Sequence, residues 1–158
     1  MLLLIDAFSD GPAGLEGRTK LAKLDFLLRY PAFFRRALAK RAPKASDPSD
    51  DEPSENLIES RMIRYRYGPW DPAYFALLGA LVGRGLIIAV AAEKGLGYKT
   101  TQHGHELAQR LAETDAWHPI ALRARLLRQH FNLTGNYLKS FIYQTFPEVT
   151  GAAMGENL

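Results

Sequence analysis

A chain of 158 residues, 47% hydrophobic and 23% charged, is long enough to form one domain around a core of its own. It has no cysteine, so the sequence offers neither a disulfide framework nor a thiolate metal site. No apolar run approaches the ~20 residues that a membrane-spanning helix requires. The apolar start, Leu2 to Phe8, has no basic leader or cleavage site, and we therefore expect a cytoplasmic protein.

The net charge of +3 conceals an uneven distribution of charge along the chain. Residues 43–56 contain five acidic residues and one lysine, and without them the chain has 19 basic residues against 12 acidic. Because this segment has too little apolar surface to offset its ordering entropy, it is predicted to be a mobile loop. It is either a plain solvated loop or an acidic segment that screens a basic surface from non-specific DNA.

Three helices are predicted before the acidic loop. The first spans Leu2 to Phe8, and turn residues end it. The second begins near Arg18 and is interrupted at Tyr30, because a residue before proline avoids helical geometry. Pro31 then starts the third, which carries several arginines and lysines. In the second helix a leucine stripe is predicted to be buried, with two lysines on the opposite side: Leu21, Leu24 and Leu28 against Lys20 and Lys23.

A strand and then a helix are predicted after the acidic loop. Arg61 to Tyr67 alternates apolar and basic side chains, as a half-buried strand does. Gly68-Pro69-Trp70 is predicted to turn the chain. Asp71 is suited to the N-cap of a helix that has a proline in its first turn, and Gly85 is suited to end this helix after Arg84.

A β-hairpin and three further helices complete the predicted elements. The apolar, β-branched segment Leu86–Ala91 is a strand, Glu93–Gly97 is a glycine-containing turn, and Tyr98–Thr100 returns as a second strand. The helices are predicted to begin at three residues suited to that position, namely Thr101, Pro119 and Thr134.

This order of elements predicts a mostly α-helical α+β fold with a small β-hairpin wing. We interpret it as a winged helix-turn-helix with an inserted acidic loop and a C-terminal helical extension. The predicted organisation is a winged-helix domain at residues 1–115, a helical pair at 116–148 and a flexible tail at 149–158.

Two segments come close to catalytic motifs, and both are incomplete. His105-Glu106-Leu107-Ala108-Gln109 lacks the second histidine of the metalloprotease pattern. Lys94 to Thr100 is similar to a phosphate-binding loop, but Tyr98 stands where that loop needs a glycine. The glycines here are better explained by the positive φ angles of a hairpin turn. We therefore predict no active site, no metal site and no cofactor.

The basic residues are either phosphate contacts or a solvated basic face. In a DNA-reading winged helix the helix at Asp71–Arg84 would enter the major groove, but it has no charged or amide side chain between its ends. Its row of small residues would let another backbone come close, so we predict that protein covers it, either the C-terminal helix pair or another chain. The predicted docking residues are Tyr74, Ala76, Leu77, Gly79, Ala80 and Gly83. The predicted phosphate contacts are Lys20, Lys23, Arg35, Arg36, Lys40, Arg41, Arg64, Arg66, Lys94 and Lys99.

Three segments together are similar to a known family, namely LEGRTKLAKLDFLLRYP (Leu15 to Pro31), RYRYGPWD (Arg64 to Asp71) and FIYQTFPEV (Phe141 to Val149). They resemble the middle component of bacterial ABC-three-component systems, which include Lamassu-type anti-phage systems. The resemblance implies a small winged-helix subunit that binds an SMC-like ABC ATPase and is accompanied by a separate effector, often a nuclease. It also implies that this subunit bridges or regulates the two without catalysis.

Three hypotheses of function follow. The first is a non-catalytic accessory subunit of an SMC-like ATPase defence complex, which docks on the ATPase, links it to an effector and contacts DNA without sequence specificity. The alternative is a winged-helix DNA-binding transcription regulator, dimeric through its C-terminal helices. The third is a structural adaptor with no nucleic-acid role.

Overall fold

A computed structural model describes residues 1–45, 62–65, 68–93, 95–151 and 153–158. Within them the chain forms a mostly helical α+β structure, in which no helix is both long and apolar enough to cross a membrane. The helices are α1 (Leu2–Ala7), α2 (Arg18–Arg29), α3 (Pro31–Arg41), α4 (Tyr74–Gly83), α5 (Gln102–Ala112), α6 (His118–Phe131), α7 (Gly135–Thr145) and α8 (Pro147–Gly151). The strands are β1 (Leu15–Glu16), β2 (Ile63–Tyr65), β3 (Gly68–Trp70), β4 (Ile87–Ala92) and β5 (Gly95–Thr100).

Several predictions fall outside the described residues. They are the acidic loop from residue 46 to residue 56, and the basic residues Arg61, Arg66 and Lys94.

One three-stranded antiparallel sheet has the order β1-β5-β4. Leu15 pairs with Tyr98 across β1 and β5, and Ile87 pairs with Thr100 across β4 and β5. The sequence analysis missed β1, because two residues are too few to show a period-2 pattern. The hairpin β4–β5 lies where it was predicted, but the predicted turn Glu93–Gly97 is too long, because Gly95 to Gly97 belong to β5 and pair with β4. Gly95 begins this strand with a φ of +97°, which a glycine adopts readily.

Gly97 in this hairpin serves a different purpose from the one predicted. Its φ is not positive, but a Cβ built on it would lie 1.9 Å from the carbonyl oxygen of Ala13. The prediction of a positive φ is therefore wrong at Gly97. The glycine is needed because another stretch of backbone passes too close for a side chain.

A second antiparallel pair is formed by β2 and β3, in which Arg64 is opposite Pro69. The prediction that Gly68-Pro69-Trp70 is a turn is therefore wrong, because these residues form β3.

The C-terminal tail, predicted to be flexible, lies along the other side of β2. There the amide of Arg64 donates to the carbonyl of Glu156 at 2.8 Å, and the amide of Leu158 donates to that of Met62 at 2.9 Å. Neither the pairing of β2 with β3 nor that of β2 with the tail has a local sequence signal.

Helix α2 lies at the centre of the core. Every residue from Leu21 to Leu28 is buried, because α1, α3, α6 and α7 all pack around it. The predicted leucine stripe is confirmed, but the prediction that Lys23 faces outward is wrong, since only 1% of it is exposed. The helix periodicity located the most apolar side of α2 and did not show that its other sides are covered as well.

The C-terminal helices belong to the same core. Phe131 at the end of α6 and Phe146 after α7 are fully buried, and both belong to the cluster that contains the leucines of α2. Arg123 on α6 is also buried and donates to the carbonyl of Leu28 at 2.9 Å. Residues 116–148 therefore pack into the domain rather than form a separate layer at its surface.

Most of the predicted helix ends are confirmed. Thr101 caps α5 by accepting a hydrogen bond from the amide of Gly104, and Thr134 caps α7 in the same way. Gly85, with a φ of +66°, follows α4 as predicted. Helix α4 begins at Tyr74 rather than at Asp71, because the carboxylate of Asp71 accepts from the amide of Ala73 and holds a turn before the helix.

Candidate functional site

Helix α4 exposes most of its surface. Tyr74 and Leu78 are its only buried residues, and β4 is the main element against which it packs. The large side chains on its outer side are 59% exposed at Phe75, 39% at Leu77 and 44% at Val82. Exposed apolar side chains grouped on a single element make α4 a candidate interaction surface. We call this surface the α4 face, and its residues are Phe75, Ala76, Leu77, Gly79, Ala80, Val82 and Gly83.

The α4 face contains five of the six predicted docking residues. The exception is Tyr74, which is fully buried and therefore cannot contact a partner; its inclusion was wrong. Phe75 and Val82 were not predicted, although their positions on a helical wheel place them on the same side as Gly79 and Gly83. The predicted set contained the large side chain of Leu77 on this side of the helix, but not those of Phe75 and Val82.

The two glycines of the α4 face pack against no other part of the chain that the structure describes. A Cβ built on Gly79 or on Gly83 would have no heavy atom within 4 Å, and neither has a positive φ. Glycine inside a helix costs about 1 kcal/mol relative to alanine. The described residues offer no packing reason for this cost, whereas a partner backbone close to α4 would supply one.

Replacement of Gly79 by alanine is expected to raise the free energy of unfolding by about 1 kcal/mol. The added methyl group meets open space and improves helix propensity at an exposed position. Denaturant unfolding of the isolated protein measures this change. A loss of stability instead would mean that Gly79 serves the fold, and the docking interpretation would lose this support.

A buried polar network joins α2 to the start of α4. The guanidinium of Arg29 donates to Asp25 Oδ2 at 2.8 Å and to Asp71 Oδ2 at 2.7 Å. The hydroxyl of Tyr74 donates to Asp25 Oδ2 at 2.8 Å. These charge-assisted bonds fix the first turn of α4 against the core. The helix is thus held firmly at its N-terminal end while its outer side stays open.

The electrostatics of this network keep its donors protonated. Burial alone would lower the pKa of Arg29, but the carboxylates of Asp25 and Asp71 outweigh it and raise that pKa. Burial, together with the Asp25 carboxylate, raises the pKa of the Tyr74 hydroxyl. Both groups therefore act as hydrogen-bond donors that hold the start of α4 in place.

The basic residues of α3 lie against the C-terminal helices. Arg36 forms an ion pair with Glu148, and Arg41 donates to the carbonyl oxygen of His130. The cationic groups of Arg36, Lys40 and Arg41 also lie within 6 Å of ring centroids, those of Phe146, Phe141 and Tyr137 respectively. These residues stabilise the packing of α3 on its neighbours. Their predicted contact with phosphate stays a prediction.

The other predicted phosphate contacts lie on different elements. Lys20 on α2 is half-buried and its ammonium donates to Asn132 Oδ1 at 2.7 Å. Arg35, Arg64 and Lys99 are half-buried on α3, β2 and β5. Lys23 is buried, so it is not available to a duplex on the outer surface. None of the described residues predicted to contact phosphate belongs to the α4 face.

The histidine of the near-metalloprotease motif is held by its neighbours. His105 Nδ1 lies 2.9 Å from Asp6 Oδ1, and its Nε2 lies 2.7 Å from the amide nitrogen of Gln109. A neutral ring that donates from Nδ1 and accepts at Nε2 satisfies both contacts. Across the described ranges there is no cluster of three or more histidine, aspartate or glutamate side chains able to hold a metal ion.

A comparison of the chain with protein-family models, with curated proteins and with solved structures found no match.

Proposed function

We propose that this protein is a non-catalytic docking subunit that binds a protein partner through the α4 face. The observation that carries the proposal is the exposure of large apolar side chains on α4, which has no charged residue. Helix α4 also contains two glycines that pack against none of the described residues. An apolar surface of this kind is costly to leave in water and is stabilised when a partner covers it.

The proposed framework for this surface is a winged helix. The order of α1, β1, α2, α4, β4 and β5, with β1 next to β5 in the sheet, supports this interpretation. In it, α4 takes the place of the helix that reads DNA in other winged-helix proteins, and β4–β5 is the wing. Helix α3 and the β2–β3 hairpin are then insertions before that helix.

The proposed partner is an SMC-like ABC ATPase, and the proposed setting is an anti-phage defence complex that also contains an effector. The resemblance of three segments of the chain to the middle component of ABC-three-component systems supports this choice. The apolar character of the α4 face is compatible with docking on an ATPase subunit. DNA would be contacted through the whole complex and without sequence specificity.

The alternative proposal, a transcription regulator, depends on base recognition by the same helix. Bases are read mainly by arginine, lysine, asparagine and glutamine side chains, and α4 contains none of these. The exposed residues of α4 could contact thymine methyl groups but could not form the bidentate hydrogen bonds that give specificity. The structure therefore favours a protein partner over DNA for this surface.

The test is co-purification with an SMC-like ATPase encoded beside this protein's gene. The variant Ala76→Arg/Ala80→Arg is expected to weaken binding by about a hundredfold or more, because it places two unpaired charges in an apolar interface. The matched control is Ala32→Arg/Ala39→Arg, which makes the same change at exposed positions of α3 and should bind like the wild type.

Two results would contradict the proposal. One is unchanged ATPase binding by the folded α4 variant. The other is tight, sequence-specific binding of the isolated wild-type protein to a short duplex, with a steep loss of affinity as salt rises, which would favour the transcription regulator.

A further inference from the structure

A cleft of about 470 Å³ lies between the N-terminal half of α2 and the β2–β3 hairpin, next to the start of α4. This volume lies within the range of small-ligand sites. The side chains that matter for its chemistry are Arg18, Lys23, Tyr65, Trp70 and Phe75. None of the described residues that line it is acidic.

The aromatic side chains form a continuous row along the cleft. The ring centroids of Tyr65 and Trp70 are 6.0 Å apart, and those of Trp70 and Phe75 are 6.1 Å apart. Tyr65 is 49% exposed, and Phe75 is exposed to a similar degree. Trp70 is fixed from behind by the buried Tyr74, whose ring meets it edge-on at 5.1 Å. A row that is fixed on one side and open on the other offers flat surfaces on which a planar ligand can stack.

Two cations stand beside this row. The guanidinium of Arg18 lies 4.8 Å from the ring centroid of Phe75. Lys23, which is only 1% exposed, lines the cleft from the core side of α2, and its ammonium donates to the carbonyl of Thr19 at 3.1 Å. A ligand would therefore have to enter the cleft to contact it. Helix α2 begins here without a side-chain cap and without an acidic residue in its first turn. The cleft therefore combines stacking surfaces with a positive potential.

The ammonium of Lys23 lies in surroundings that an anion in the cleft would stabilise. Burial, and then the positive charge of Lys139, lower the pKa of Lys23 to about 8. No carboxylate among the described residues lining the cleft offsets this cost. A ligand that carried negative charge into the cleft would do so.

We propose that this cleft binds a nucleotide unit, with the base stacked on the aromatic row and the phosphate held by Arg18 and Lys23. A planar, anionic ligand uses both features of the cleft, whereas a neutral apolar ligand uses only the rings and an acidic peptide only the cations. The unit is either a free mononucleotide or one residue of a single strand. A base within a duplex cannot bind in this way, because its faces are already stacked on neighbouring base pairs. Phe75 belongs both to the cleft and to the α4 face, but the inference does not rest on docking through that face.

The test uses the fluorescence of Trp70. The chain has two tryptophans, and Trp117 is exposed outside the cleft, so Trp117→Phe leaves Trp70 as the only reporter. This protein is titrated with AMP, TMP, adenosine, inorganic phosphate, an acidic peptide and an oligothymidylate of about twelve nucleotides. Saturable quenching by a mononucleotide or by the oligothymidylate is expected, with weaker binding of adenosine and of phosphate. If the oligothymidylate quenches and the mononucleotides do not, the nucleotide unit that binds in the cleft belongs to a single strand.

Variants separate stacking from charge recognition. Tyr65→Ala is expected to weaken binding about fivefold or more by removing a stacking surface. Lys23→Met and Arg18→Gln should each weaken nucleotide binding about tenfold and leave adenosine binding unchanged. The matched control is Tyr137→Ala, an exposed aromatic residue on α7, which should have no effect.

Three outcomes would overturn the inference. They are the absence of saturable quenching by both nucleotide forms at millimolar concentration, equal binding of an acidic peptide, and nucleotide binding that Lys23→Met and Tyr65→Ala both leave unchanged.

Discussion

Replacement of Asp25 by alanine is expected to lower the free energy of unfolding by about 3 kcal/mol or more. Asp25 is 1% exposed and accepts hydrogen bonds from Arg29 and from the hydroxyl of Tyr74. Without it, the Tyr74 hydroxyl stays buried with no acceptor, and Arg29 keeps only part of its compensating charge. Urea unfolding at neutral pH, with stability compared against wild type, measures the loss.

The second readout of this variant concerns α4. The network fixes the first turn of α4, and none of its residues lies on α6. The Asp25→Ala substitution should therefore increase the rate of amide hydrogen exchange more in α4 than in α6. Tyr74→Phe is the matched control. It removes one hydrogen bond to a charged group and should cost about 1.5–3 kcal/mol. A smaller loss for Asp25→Ala than for Tyr74→Phe would show that the network does not depend on Asp25.

Replacement of Lys23 by methionine is expected to raise the free energy of unfolding at pH 7 by about 1–3 kcal/mol. Methionine keeps the apolar stem and removes a charge that is buried beside another cation, Lys139. Equilibrium unfolding of the two proteins in denaturant measures the gain. Lys44→Met, at an exposed position after α3, is the control and should change stability by less than about 0.5 kcal/mol.

The stability that Lys23→Met adds should decrease as the pH rises. The pKa of Lys23 is about 8 in the folded protein against 10.5 in the unfolded chain. Between these values the unfolded wild-type chain binds more protons, so raising the pH stabilises the wild type relative to the variant. The advantage of the variant should therefore be largest below pH 8 and disappear above pH 10.5. A variant that is less stable than wild type at pH 7 would show that the Lys23 ammonium contributes favourably to the fold.

The two effects of Lys23→Met have opposite signs, which makes the variant informative. It should stabilise the isolated chain and yet lose the proposed nucleotide binding in the cleft. A buried cation that costs stability and is needed for a ligand is typical of a binding site, since such sites are seldom optimised for stability. Loss of binding in a more stable protein cannot be attributed to unfolding.

Local sequence signals predicted the boundaries of most elements. Thr101 and Thr134 cap helices, Pro31 starts one, and Gly85 follows another, each as predicted. Each of these signals acts through neighbouring backbone groups, so a few adjacent residues contain all the information needed. The apolar, uncharged character of α4 was likewise readable along the chain, and the prediction that protein covers it followed from it. That its outer side is not covered by the C-terminal helices was decided by the packing of the chain.

The candidate sites depend on contacts between distant parts of the chain. Lys23 was predicted on an outer face and is buried, because helices from both ends of the chain surround α2. Tyr74 was predicted to dock a partner and instead reaches Asp25, 49 residues away. The row of Tyr65, Trp70 and Phe75 was not foreseen, because it forms only when β2 pairs with β3 beside α4. Residue patterns show which side of an element is apolar, but which surfaces meet is decided by the packing of the whole chain.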